Sequence, residues 1–330
     1  MSSATQTVNY RNAIGRSLAE AMRRDPSVIF FGEDVALAGG AFKATPGLLD
    51  EFGPKRVRDT PISEQAIVGT ALGAAIRGLR PVAEVMFADF AAVCFDQIVN
   101  QVAKYRYMSG GQVTVPLVIR MSNGAGTGFG AQHSQPAENW FLNVPGLKIV
   151  TPGTVEDLYG LMLSAVADDD PVLFFEHKGL FALKGEIPIS GGDPVPLGSA
   201  AVVRSGPDAT VVANQQMRQV ALAAADELSA RGTEITVIDP RTLVPFDDAT
   251  VLRSLEETSR LVVVQEAPPS GSWGASLVSR VATTHLELLD APPALVAADE
   301  TPVPYAAQME AAWLPSVDDV VAAVETAVRY

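Results

Sequence analysis

Apolar residues recur along the chain at two alternating periods. Ile14, Leu18 and Met22 fall four apart within residues 10–23, a helical stripe, and the unbroken run Val28-Ile29-Phe30-Phe31, stopped by Gly32, reads as a buried strand. The alternation continues with a helix over 64–77, a strand over 81–87, a helix over 90–106, strands over 113–120 and 147–150, a helix over 155–167 and a strand over 171–175. Between 183 and 199 the pattern gives way to Gly185, Pro188, Gly191, Gly192, Pro194, Pro196 and Gly198, the composition of a linker. A second series follows: strands over 210–213, 235–238, 261–265 and 294–297, and helices over 216–230, 248–255, 273–288 and 317–328. Strands alternating with helices predict an α/β architecture with a largely parallel sheet. The expected domains are residues 1–190 and 199–330, joined by a linker over 191–198.

Two glycines, Gly69 and Gly73, lie on one face of the helix expected over 64–77. Each costs about 1 kcal/mol relative to alanine inside a helix, so the pair points to a closely packed backbone. The glycine- and alanine-rich loop over 33–45 is either a site element or a mobile surface.

Composition narrows the class. At 330 residues, 48% hydrophobic and 19% charged, the chain is globular and long enough for two cores. A formal charge of −14, with basic clusters no longer than Arg23-Arg24 and Lys55-Arg56, argues against nucleic acid or anionic lipid as a partner. Cys94 is the only cysteine, so no intrachain disulfide forms and a reducing compartment is expected. Residues 1–9 are polar, without the apolar core of a signal peptide, and no apolar run reaches the ~18 residues of a membrane span. A cytoplasmic, membrane-free protein is the expectation.

The candidate chemistry is concentrated in a few segments. Gly124-Ala125-Gly126-Thr127-Gly128-Phe129-Gly130 fails the G-x-G-x-x-G dinucleotide pattern at Phe129, and no G-x-x-x-x-G-K-[ST] loop occurs. The run is a flexible connection or a backbone that lies close against a ligand. Of the three histidines, His285 falls inside an expected helix and reads as structural. His177 follows the strand over 171–175, at the carboxyl end of the sheet. His133 lies among polar Gln132, Ser134 and Gln135, and imidazole is the side-chain type suited to proton transfer near neutrality. Glu64 opens a helix, where the dipole favours a carboxylate; it is a helix-start charge or a site carboxylate. No Cys or His cluster has transition-metal spacing, and no G-x-S-x-G elbow appears.

A longer set of motifs resembles one family over nearly the whole chain. It comprises Gly32-Glu33-Asp34-Val35, Asp59-Thr60-Pro61-Ile62-Ser63-Glu64, Gly78-Leu79-Arg80-Pro81 and Phe95-Asp96-Gln97-Ile98-Val99-Asn100. It continues with Lys104-Tyr105-Arg106-Tyr107-Met108-Ser109-Gly110-Gly111, Ala131-Gln132-His133-Ser134-Gln135, Pro145-Gly146-Leu147-Lys148 and Pro302-Val303-Pro304-Tyr305. The chain is thereby similar to the β subunit of the thiamin-diphosphate-dependent decarboxylase component of 2-oxo acid dehydrogenase complexes.

The resemblance implies a pyrimidine-binding α/β domain of transketolase type, then a smaller α/β domain of transketolase C-terminal type. It implies an α2β2 heterotetramer active only with the α subunit, whose G-D-G motif holds the diphosphate through Mg2+; this chain has no G-D-G. The assembled enzyme would oxidatively decarboxylate a 2-oxo acid, pyruvate or a branched-chain acid, and pass the acyl group to lipoyl-lysine. Acetoin dehydrogenase is the alternative, and a structural or regulatory subunit without a working site is a further rival. By position, Glu64 matches the carboxylate that hydrogen-bonds the aminopyrimidine and favours its imino tautomer, which lets the ring take the thiazolium proton. Ile62, Met86 and Phe90, with Phe87 as an alternative, match the apolar wall around that ring, and His133 matches the active-site histidine. A structural potassium ion is implied at Leu117, Ala165, Val166, Asp168 and Asp170, where the family commonly has Asn in place of Asp170. Asp290 and Tyr330 match positions that contact the dihydrolipoyl acyltransferase core. Ala213-Asn214-Gln215-Gln216-Met217 departs from the usual glycine-rich turn.

Overall fold

The computed structural model describes residues 4–330; residues 1–3, which begin the polar N-terminal stretch, lie outside them. The chain divides into two compact units, one of Met1–Asn123 with Trp140–Leu197, the other of Gly124–Asn139 with Gly198–Tyr330. Segment 124–139, inside the expected first domain, thus groups with the second unit.

The first unit opens with strand β1 (Thr5–Asn9) and helix α1 (Tyr10–Arg24). The Asn9 side chain caps α1 by accepting from the Asn12 N–H, while Arg23 and Arg24 complement the dipole at its far end. Strand β2 (Val28–Gly32), short helix α2 (Leu48–Phe52), strand β3 (Val57–Asp59), helix α3 (Glu64–Ile76) and strand β4 (Arg80–Phe87) follow. After them come helix α4 (Tyr105–Met108), strands β5 (Val118–Asn123) and β6 (Lys148–Val150), helix α5 (Val155–Ala167), and strands β7 (Val172–His177) and β8 (Lys184–Pro188). Within this unit the strands pair in parallel in the order β6-β7-β5-β4-β2-β3. Every residue of β5 and β7 is buried, as expected of parallel strands covered on both faces. The stripe Ile14, Leu18 and Met22 packs into the same core as Leu158, Leu161 and Met162 of α5.

Three sequence expectations change here. The single helix expected over 90–106 is broken: a 3₁₀ turn covers Ala88–Ala92, a π-helix covers Gln97–Val102, and α4 follows. The strand expected over 113–120 starts instead at Val118, because Pro116 has no N–H for the ladder. The glycine- and proline-rich stretch over 183–199 opens with a strand: β8, before the linker expected over 191–198, pairs antiparallel with β1, Thr5 opposite Pro188.

The second unit contains β9 (Ala201–Arg204), β10 (Ala209–Ala213), α6 (Gln215–Ala230), β11 (Ile235–Asp239), β12 (Thr242–Val244), α7 (Asp248–Thr258) and β13 (Leu261–Val264). Helix α8 (Trp273–Thr284), strand β14 (Ala294–Val296), and helices α9 (Ala307–Trp313) and α10 (Val317–Arg329) complete it. Its sheet runs β14-β13-β10-β11-β9, parallel except for β9. Small residues of α6, Ala221, Ala224 and Ala225, let Val320, Val321 and Val324 of α10 pack into the same core. Helix α8 stops at Thr284, so His285 is its C-terminal cap and not an interior residue. Among the described residues no helix is long and apolar enough to cross a membrane.

Candidate functional site

Strands β2, β4, β5 and β7 end at Gly32, Phe87, Asn123 and His177. Open parallel sheets bind ligands beyond such carboxyl ends. The segment 59–64 is built into that edge. Asp59, the last residue of β3, accepts from the backbone N–H groups of Ala36 (2.7 Å) and Leu37 (3.2 Å), and the Thr60 N–H donates to the Gly32 carbonyl (2.9 Å). The loop after β2 is thereby latched to the chain that enters α3, and it is an ordered element of the edge. Gly32 must be glycine: a Cβ there would lie 2.7 Å from that of Glu84.

Glu64 begins α3 with only 7% of its surface exposed, whereas Ile62, two residues earlier, is 82% exposed. Glu33, first in the latched loop, is also buried, and its Oε1 has no hydrogen-bond partner. Burial first, and then the Glu64 charge, hold the Glu33 carboxyl above its ordinary value. Met86 and Phe90 are half-buried. Phe90 meets Phe87 edge to face at 5.5 Å, and Phe87 meets Phe42 of the latched loop at 5.3 Å. Phe87 is itself buried beneath them. Cys94 is buried as well, and burial followed by Glu64 pushes its thiol up to about 12.

Sequence reasoning missed a cluster beneath this edge. Arg120 on β5 donates to Glu84 on β4 and, through two nitrogens, to Glu176 on β7, with Nε 2.7 Å from Oε1. Burial raises the Glu84 carboxyl to about 7 against the pull of Arg120. The signal was a lone charge in the middle of three strongly apolar strands. His177 caps the turn after β7, its Nδ1 accepting from the Gly179 N–H (3.1 Å), and Lys178 stands 5.6 Å over the Phe87 ring.

The five residues expected to hold a cation present hard oxygen atoms, the donor chemistry such an ion requires. The Val166 and Asp168 carbonyls already accept from Arg80 Nη1 (3.1 and 2.9 Å), and the Leu117 carbonyl accepts from the Val172 N–H (2.9 Å). The Ala165 carbonyl accepts from the Asp168 N–H. Lys148 Nζ reaches both Asp168 carboxylate oxygens (2.7 and 2.6 Å), and Arg106 pairs with Asp170. Protein cations thus compensate the acidic end of α5. Among the described residues no group of three or more His, Cys, Asp or Glu could hold a metal.

His133 belongs to the second unit. It is half-buried in a turn where its N–H donates to the Gly130 carbonyl (3.2 Å). The glycine run before it faces buried carboxylates of the same unit: Glu266 accepts from the Ala125 N–H, and Glu310 accepts from Gly126 (2.9 Å) and Gly128 (3.0 Å). Neither glutamate was singled out by sequence, since each looks like an ordinary acidic residue. Asp290 and Tyr330 are solvent-exposed.

Comparison with known proteins agrees with the α/β fold of the two units. Residues 6–184 match the family model described as the transketolase pyrimidine binding domain, and residues 198–320 match the transketolase C-terminal domain. The acetoin:2,6-dichlorophenolindophenol oxidoreductase subunit beta of Bacillus subtilis is 43% identical, over 96% of this chain and 96% of its own length. The mitochondrial pyruvate dehydrogenase E1 component subunit beta-2 of Oryza sativa is also 43% identical, over 99% of this chain and 88% of its own. The pyruvate dehydrogenase E1 component subunit beta of Rhizobium meliloti is 44% identical, over 98% of this chain and 70% of its own. A solved structure described as a split gene transketolase, inactive beta4 tetramer, shares the fold with a TM-score of 0.78 at 23% identity, covering 98% and 99% of the two chains. The chain carries the two transketolase-type domains in tandem, and it belongs to the β-subunit family of thiamin-diphosphate-dependent 2-oxo acid dehydrogenases.

Proposed function

We propose that this chain is the β subunit of a heterotetrameric 2-oxo acid dehydrogenase that works with an α subunit, thiamin diphosphate and Mg2+ held by that α subunit. The observation that carries the reading is the pairing of buried Glu64 with exposed Ile62 at the carboxyl edge of the parallel sheet. An apolar side chain left open beside a sequestered carboxylate fits one face and one edge of an aminopyrimidine. When bound, the cofactor supplies the electron sink for decarboxylation. Glu64 would hydrogen-bond the ring edge, and Glu33, whose carboxyl is held above its ordinary value by burial and by the Glu64 charge, stands beside it. Ile62, Met86 and Phe90 exclude water from the ring face. His133 orients the substrate or assists acyl transfer to lipoyl-lysine.

Pyruvate or a branched-chain 2-oxo acid is the substrate of this reading. Acetoin is the second, supported by the 43% identity to the acetoin oxidoreductase subunit. The same reading includes domain limits of 1–190 and 199–330 about a linker over 191–198, docking of an acyltransferase core through Asp290 and Tyr330, and a cytoplasmic setting. It also includes a potassium ion at Leu117, Ala165, Val166, Asp168 and Asp170, through the lone pairs their hydrogen bonds leave free.

The test is co-purification with the α partner and a substrate panel. Glu64→Gln should lower kcat by at least about 100-fold, the scale of a lost proton-transfer group, with assembly intact. An undiminished rate would falsify the role of Glu64.

A further inference from the structure

We propose that Glu310, assisted by Glu266, is the positioning residue that sets the loop carrying His133; this rests on the reading of His133 as a site residue. Glycines occupy every second position of residues 124–130, and all four have left-handed φ: +84° at Gly124, +83° at Gly126, +74° at Gly128 and +72° at Gly130. Such alternation turns successive N–H groups toward a common point, a concavity that selects an anion. Here the anion is the protein's own carboxylate. Glu310 Oε1 accepts from Gly126 (2.9 Å), and Oε2 accepts from Gly128 (3.0 Å). Glu266 takes the Ala125 N–H one step earlier. Both glutamates are buried, so the contacts are shielded from competing water.

Without such anchors this stretch would be among the most mobile in the chain, because glycine loses more freedom on ordering than any other residue. Glu310 is itself fixed. It lies on α9, where Trp313 packs with Ala125, Ala298 and Val303 and donates its Nε1–H to the carbonyls of Asp299 (3.1 Å) and Thr301 (3.2 Å). The set loop passes directly into the turn that seats His133, through the bond from its N–H to the Gly130 carbonyl (3.2 Å). The carboxylate is therefore four bonded or hydrogen-bonded links from the histidine backbone, and its charge fixes where that backbone lies.

The test combines amide exchange of the full chain with a double-mutant cycle on the complex co-purified with the α subunit. Glu310→Ala should speed exchange of the 124–130 amides by about tenfold or more, the signature of local opening; unchanged exchange overturns the proposal. Glu310→Gln keeps the shape and one acceptor oxygen, so it serves where alanine impairs folding, and it should lower kcat by about tenfold while retaining more activity than alanine. In a His133→Ala background, Glu310→Gln should change kcat by less than about twofold, since residues acting through one another are not additive. Full additivity overturns the positioning role. Should His133→Ala alone leave the rate unchanged, the reading of His133 falls, and the exchange measurement alone decides whether Glu310 sets the loop.

Discussion

Arg120 and Glu84 face each other in register on adjacent parallel strands, each almost wholly excluded from water. On the other side of Arg120, Phe174 is the register partner on β7, and Glu176 stands two residues further on, on the same face. One guanidinium thus serves two carboxylates. Burial opposes its charge, but Glu176 and then Glu84 hold it above its ordinary value. Arg120→Met would leave both acids buried without a cation, at a cost of about 3–5 kcal/mol. Urea unfolding should show this loss near neutrality and a smaller one in mild acid, where the orphaned carboxyls take protons. An equal loss at both would mean that the charges do not govern the cluster.

The same cluster gives the wild-type chain a pH dependence. The Glu84 carboxyl, ordinarily at 4.5, is raised to about 7 by burial, with Glu176 and Glu33 adding to the rise against Arg120. Between these values the folded state holds a proton that the unfolded chain has released. Its contribution to stability is therefore present below about 4.5 and is lost as pH rises through about 7. The stability of wild type relative to Glu84→Gln should fall across that window and level off above it. A flat difference in unfolding free energy from pH 5 to 8, roughly the span of the shift, would count against it.

Asp59 ties the loop after β2 to the chain entering α3. Replacing it with alanine leaves the part-buried Ala36 amide and the exposed Leu37 amide without their acceptor, a loss of about 0.5–1.5 kcal/mol. Leu37 is already exposed, so limited proteolysis near residue 37 should accelerate. In the α-containing complex, affinity for thiamin diphosphate should fall while the maximal rate at saturation changes little. Unaltered proteolysis would show that the latch is dispensable.

If potassium occupies the oxygen donors around Asp168, exchanging KCl for choline chloride should destabilise the chain. At a salt concentration ~100 times the dissociation constant the loss is about 2.7 kcal/mol. Identical thermal melting in the two salts would mean that Arg80, Lys148 and Arg106 satisfy the acidic end of α5 unaided.

Cys94, with its thiol raised to about 12, should be inert to a disulfide reagent in the folded chain and reactive after unfolding in urea. Rapid labelling of the native protein would place the residue at the surface.

Much of the fold was legible because its elements follow one period at a time. Ile14, Leu18 and Met22 announce α1, and the apolar runs of β2 and β7 announce buried strands. The segment 90–106 misled because its apolar spacing satisfies a helix, while the i→i+5 bonding, as from the Ala103 N–H to the Ile98 carbonyl, leaves no periodic trace. Strand β8 hid among glycines and prolines, which an edge strand tolerates at its ends. At the site, Glu64 and His133 stood out by motif and neighbours. Glu84, Arg120, Glu176, Glu266 and Glu310 did not, because their partners are set by pairings distant in sequence.

The bond from Gly126 to Glu310 spans 184 positions. A chain emerging from the ribosome therefore exposes its glycine run long before the acid that seats it has been made. The histidine segment reaches its final place only after residue 310 has been made, so a product terminated before that point lacks the piece that would arm it.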